Sequence, residues 1–117
     1  MLLSEVMEIL KATVISGDNL EKIEIKTACG SDMMSDALAF VKDHGMLLTG
    51  LLNPQAVRTA DMLDMRCIVF VRGKKPDNDT IELANERGIV LLSTAYRMFT
   101  ACGRLYEAGL GGGCEEI

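Results

Sequence analysis

The run Cys67-Ile68-Val69-Phe70-Val71, followed by Arg72-Gly73-Lys74-Lys75-Pro76, decides the fold of this chain. Five consecutive apolar residues leave no face for water, so the run reads as a central strand covered on both sides, as in a parallel sheet. Parallel neighbours need long crossovers, usually helices. The sequence supplies them on either side. Downstream, Asp79 with Glu82 three residues on reads as a reciprocal capping pair that opens a helix through Arg87, stopped by Gly88. Ile89-Val90-Leu91-Leu92 is then a second fully apolar strand. Upstream, Asn53-Pro54 starts a helix that runs to about Asp64, because Asn caps and Pro suits the first helical position. Met46-Leu47-Leu48-Thr49 before it is a short buried strand.

Further out the same alternation continues. Ser31-Asp32 opens a helix carrying Met33, Met34, Ala37, Leu38 and Val41 and stopped at Gly45, with His44 serving its final carbonyls. Ser4 is expected to cap an opening helix with Val6, Met7, Ile9 and Leu10 at helical spacing. Thr13-Val14-Ile15-Ser16 and the alternating Ile23-Glu24-Ile25-Lys26, which continues toward Cys29, read as strands joined by a polar loop at Gly17-Asp18-Asn19. Ser93 is expected to cap a last helix carrying Tyr96, Phe99, Leu105 and Tyr106 and ending at Gly109. From Ile23 onward strand and helix alternate four times, so the expected fold is α/β, a three-layer α/β/α sandwich with a mainly parallel sheet. Residues 1–109 are expected to form one domain, and residues 110–117, rich in glycine, a flexible tail.

With 117 residues and 49% of them hydrophobic, the chain is long enough to bury roughly two-thirds of its unfolded surface around one core without metal or disulfide. Its 12 basic residues against 17 acidic ones give a net charge of −5, which argues against a nucleic-acid or anionic-membrane surface. No apolar run approaches the ~20 residues that span a bilayer, and the start lacks a basic signal-peptide region, so a cytoplasmic protein is expected. The four cysteines form no close pair of the kind zinc or dithiol sites use. Cys67 and Cys102 read as small buried side chains, and Cys29 and Cys114 as the thiols able to react.

Chemistry is sparse. Neither phosphate-loop pattern is present, Gly111-Gly112-Gly113 meets no strand, and a single histidine leaves no triad to build, so neither cofactor nor metal is expected. Asp32 with Asp36, and Asp61 with Asp64, are spaced to share a helix face; the second pair reads as a solvated face. In open parallel sheets ligands bind beyond the carboxyl ends of the strands, where loops deliver helix N-termini. That rim collects Gly30, Ser31 and Asp32, then Gly50 to Asn53, then Arg72, Gly73 and Lys74, and finally Ser93 and Thr94. Ser31, Asn53 and Ser93 each read as helix caps when taken singly; together these hydroxyls, amides and basic groups suit a small anion such as phosphate.

The stretches Ser31-Asp32-Met33-Met34-Ser35-Asp36, Gly73-Lys74-Lys75-Pro76-Asp77 and Gly88-Ile89-Val90-Leu91-Leu92-Ser93-Thr94 resemble the DRTGG domain family, which is similar to the N-terminal domain of HPr serine kinase/phosphatase. The likeness runs from Leu3 to Gly109 and is greatest to stand-alone bacterial versions of this length. Where the family's naming motif would fall, this chain has Glu21-Lys22 and Lys26-Thr27-Ala28 instead. Ser35, within the matching helix start, joins the expected ligand-binding set. The resemblance implies a three-layer α/β/α domain, usually a regulatory or oligomerising attachment in larger enzymes, for which no activity of its own is established. The expected function is therefore a non-catalytic module for a small ligand, such as a nucleotide or phosphorylated metabolite, acting as a homodimer or through a partner protein. Two alternatives stand beside it: an enzyme acting on a phosphorylated small molecule, with Asp32 or Asp36 as base, and an adaptor that binds only protein.

Overall fold

The computed structural model describes residues 1–35 and 45–112. Helix α1 (Leu3–Leu10) leads into strand β1 (Thr13–Ser16), and a 3₁₀ turn (Leu20–Lys22) leads into β2 (Thr27–Gly30). Strand β3 (Gly45–Thr49), helix α2 (Pro54–Met62), β4 (Cys67–Phe70), α3 (Asn78–Arg87), β5 (Val90–Ser93) and α4 (Met98–Glu107) complete the described elements. The strands make one sheet in the order β1-β5-β4-β3-β2. Strands β2 to β5 are parallel, and β1 lies antiparallel against β5 on one edge.

The apolar run at the centre behaves as its composition dictates. Strand side chains alternate between faces, so Cys67, Val69 and Val71 enter one core while Ile68 and Phe70 enter the other. The first core is closed by Leu3, Val6 and Leu10 of α1 and by Ala101 and Leu105 of α4. The second is closed by Ala56, Val57 and Ala60 of α2 and by Ala84 of α3. With both faces covered, the expected three-layer α/β/α sandwich with a mainly parallel sheet is the observed fold.

Local chemistry sets the helix ends. The Asn53 side chain accepts the Gln55 amide at 3.0 Å, and Pro54 follows at the first helical position. Gly88 ends α3 in the left-handed region, with φ 69, where a side chain would be strained. Other caps differ from expectation. Helix α1 starts two residues earlier than Ser4 would cap: its N-cap is Leu2, whose N–H donates to Glu5 Oε1 at 3.2 Å. Asp77, not Asp79, caps α3, accepting the Thr80 amide at 3.0 Å. Ser93 caps nothing; it ends β5, and α4 begins five residues later from Arg97.

Two expectations about strands are also corrected. Ile23-Glu24-Ile25-Lys26 does alternate, with Ile23 and Ile25 buried, but its pairing partner is the start of the chain and not the sheet. Leu3 N–H donates to the Ile23 carbonyl at 2.9 Å and Ile25 N–H to the Met1 carbonyl at 2.7 Å. Gly45 is the first residue of β3 and not a helix stop. At the C-terminus, residues 110–112 of the segment read as a flexible tail are described, and two of them pack onto the domain. Leu110 is buried, and Gly111 bridges to Thr27, its carbonyl accepting the Ala28 amide at 3.0 Å. The remainder of that tail with Cys114, the body of the expected helix between Ser31 and Gly45, and Asp36 and His44 lie outside the described residues.

Candidate functional site

Parallel strands β2 to β5 carry their following loops to one rim, and these loops are laced to one another by backbone. Ser31 N–H donates to the Leu48 carbonyl at 3.0 Å, and Val71 N–H to the Thr49 carbonyl at 3.1 Å. Arg72 N–H donates to the Tyr96 carbonyl at 2.8 Å, and Gly73 N–H to the Thr94 carbonyl at 2.7 Å. The turn after β4 is thus held against the turn after β5, with Arg72 in the left-handed region at φ 64. That conformation is sparsely used by residues with a side chain.

The rim centres on Asp32. Its Oδ1 accepts the Gly50 amide at 2.6 Å and the Thr49 hydroxyl at 3.1 Å, which fixes the loop after β3 beneath the loop after β2. Thr49 Oγ1 in turn accepts the Leu51 amide at 3.1 Å. The Arg72 guanidinium reaches over the same glycine: a Cβ placed on Gly50 would lie 2.8 Å from Arg72 Nη2 and 3.4 Å from Asp32 Oδ1. Arg72 and Asp32 flank Gly50 without pairing directly. Among the described residues the ion pair is Arg87 with Asp61, at 2.6 Å on the far surface. Lys74 and Lys75, both exposed, extend the basic side of the rim.

The nine residues expected to bind ligand divide in this geometry. Asp32 and Arg72 come together over Gly50, and Gly73 follows Arg72 in the same turn, its N–H committed to the Thr94 carbonyl. Ser31 lies next to them, with Oγ engaged by its own turn in accepting the Met33 amide at 2.9 Å. Asn53 stands at the head of α2 with its side chain committed to the cap. Ser35 is exposed. Ser93 and Thr94 are buried, and their hydroxyls are used structurally: Ser93 Oγ donates to the Lys74 carbonyl at 3.0 Å and Thr94 Oγ1 to the Leu10 carbonyl at 2.7 Å. They shape the loops rather than face the rim. Gly30 points to another place, where a Cβ would stand 2.6 Å from Cys102 Sγ. There it lines an apolar cavity of about 360 Å³ between β2 and α4, floored by Leu48 and Leu105.

The residue missed by sequence reasoning is Thr49, the one polar side chain in an otherwise apolar run, fully buried and bonded to Asp32. Its place at the end of β3 was the available signal. Nothing at the rim resembles a metal site, and no cluster of three or more potential metal-binding side chains occurs among the described residues. Two thiols are shielded: complete burial raises the Cys67 pKa well above the ordinary thiol value, and partial burial raises that of Cys102. No described helix is long and apolar enough to cross a membrane.

No curated protein sequence matches this chain. Among solved structures, the fold is similar to the CBS and DRTGG domains of the regulatory region of Clostridium perfringens pyrophosphatase, complexed with its activator, diadenosine tetraphosphate. The TM-score is 0.74 at 18% sequence identity, over 88% of this chain and 45% of that one. This chain thus spans under half of that structure's length, and the likeness is one of fold. The sequence itself matches the model of the DRTGG domain across residues 5–108, nearly its full length, and the chain belongs to the DRTGG domain family.

Proposed function

We propose that this chain is a non-catalytic regulatory module of the cytoplasm. Its domain of residues 1–109 binds a small anionic ligand, a nucleotide or phosphorylated metabolite, at the strand-end rim and passes its occupancy to a partner protein or a second copy. The observation that carries this reading is the placement of the Arg72 guanidinium above the Cβ-less Gly50, on a turn tied by its backbone to the loop after β5. A guanidinium carried on a turn whose backbone is held in this way presents forked donors to phosphate oxygens. The Asp32 carboxylate beside it is occupied on Oδ1 by two donors, so it serves to hold the loop. The regulatory role of the similar pyrophosphatase region, and its complex with a dinucleotide activator, support the same reading.

The test is a thermal-shift screen against nucleotides, diadenosine tetraphosphate and sugar phosphates. A ligand that binds only the folded state raises the melting temperature. The reading requires at least one such ligand whose effect disappears in Arg72→Ala; a shift that survives this substitution places the binding elsewhere.

A further inference from the structure

Strands β2 to β5 are parallel, so the residues that precede them gather at the end of the sheet opposite the rim. There Lys26 comes just before β2 and Arg66 just before β4, while Lys22 ends the 3₁₀ turn on the way to β2. With Asn19, Ile23 and Glu24 these cations line a cleft of about 480 Å³, within the ~300–1,000 Å³ range of small-molecule sites. Three basic side chains and one acidic one thus share a recess in a chain whose net charge is −5. The backbone under each cation is held. Lys22 N–H donates to the Asn19 carbonyl at 3.0 Å, Ile25 N–H, one residue before Lys26, donates to the Met1 carbonyl at 2.7 Å, and the Arg66 carbonyl accepts the Val90 amide at 2.8 Å. Their charges are unspent: among the described residues no carboxylate pairs with Lys22, Lys26 or Arg66, the ion pair being Arg87 with Asp61. Asn19 is left-handed at φ 57, and its side chain caps nothing. At the rim, by contrast, the Asp32, Asn53, Ser93 and Thr94 side chains are committed to the protein's own loops.

We propose that this cleft is a second anion site, one that takes a compact polyphosphate group. A single exposed cation attracts a phosphate weakly in water, but several that line one recess act together on an anion carrying more than one charge. The guanidinium of Arg66 offers forked donors and the two ammonium groups point charges, a combination suited to adjoining phosphoryl groups. An extended polyanion is disfavoured by the same electrostatics, because the net charge of the whole chain is −5 and repels it beyond the cleft. A smaller cleft of about 210 Å³ adjoins, sharing Asn19 and Arg66 and adding Asp18 and Asn85. The remainder of a phosphorylated molecule therefore finds hydrogen-bonding groups beside the cations. This site stands at the other end of the sheet from Arg72 and does not rest on the reading of the rim.

The experiment is a two-dimensional amide NMR titration of the full chain with inorganic triphosphate, in wild type and in Arg72→Ala so that binding at the rim is read separately. Saturable shifts are expected at residues 19–26 and at Arg66 in both proteins. They are expected to weaken as salt is raised from ~0.1 M to ~1 M, where the screening length falls from ~10 Å to ~3 Å. Lys26→Glu and Arg66→Glu, both at exposed positions, are each expected to weaken binding about tenfold, and Lys26→Arg to keep it; the same spectra report whether each variant is folded. A nucleoside triphosphate titrated in parallel identifies the source of the group: tighter binding than inorganic triphosphate marks a nucleotide, and equal binding a free polyphosphate. Shifts confined to the rim, or no saturable shift at millimolar triphosphate, overturn the proposal. So does unchanged affinity in folded Lys26→Glu and Arg66→Glu.

Discussion

The Asp32 carboxylate accepts the Gly50 amide at 2.6 Å, joining the loop after β2 to the loop after β3 at the centre of the strand-end rim. With the Thr49 hydroxyl on the same oxygen, this contact holds the Cβ-less Gly50 beneath Arg72. Removing the acceptor by Asp32→Ala is expected to cost about 1 kcal/mol, below the ~1.5–3 kcal/mol of a hydrogen bond to a charged group, because the site is exposed. Asp32→Asn, which keeps an acceptor, is expected to cost less. Urea denaturation of the two variants checks the order.

Thr94 presents the buried counterpart. Its hydroxyl donates to the Leu10 carbonyl at 2.7 Å, tying the end of β5 to the end of α1 across 84 positions of sequence. Thr94→Val keeps the shape but leaves that carbonyl without its donor, so a loss of about 1–3 kcal/mol is expected, with Thr94→Ser close to wild type. If Val is tolerated as well as Ser, the hydroxyl has no structural role.

Asp77 links stability to pH. Its pKa lies below the ordinary carboxylate value, first because the Thr80 amide and then because the Thr80 hydroxyl donates to it. A folded-state pKa lower than the unfolded one contributes stability that is fully present above the unfolded value and is lost as pH falls through the folded value. Asp77→Ala is therefore expected to destabilise the protein at neutral pH and to differ less from wild type in acid below the ordinary carboxylate range. Chemical denaturation at neutral pH and in that acid range reads the difference; a constant gap would contradict it.

Cys67 is expected to stay unlabelled by maleimide in the native protein and to react only on unfolding, since burial disfavours its thiolate. Peptide mass spectrometry after brief labelling distinguishes Cys67 from the other cysteines.

The sheet was legible in sequence wherever one physical signal dominated. Cys67 to Phe70 and Val90 to Leu92 are apolar at every position because helices cover both faces, and no other arrangement suits such runs. Caps were less legible because several polar residues compete at each helix start. Asp77 and Asp79 both stand near α3, and only the extended backbone at Asp77 settles which one accepts the Thr80 amide. Ile23 to Lys26 shows how periodicity gives the buried face but not the partner: its alternation is satisfied by residues 1–3. At the rim, the sequence placed Asp32 and Arg72 on converging loops. It carried no sign that the hydroxyls of Ser93 and Thr94 are spent on carbonyls, since that depends on where Lys74 and Leu10 end up in space.

The most direct measurement of ligand recognition at the rim is isothermal titration of the best thermal-shift ligand into wild-type protein and Arg72→Ala, with circular dichroism of both. Saturable binding by wild type, lost or weakened at least tenfold in an equally folded Arg72→Ala, is the result expected. Equal affinity in the two proteins, or no heat of binding from any phosphorylated ligand tried, would contradict it.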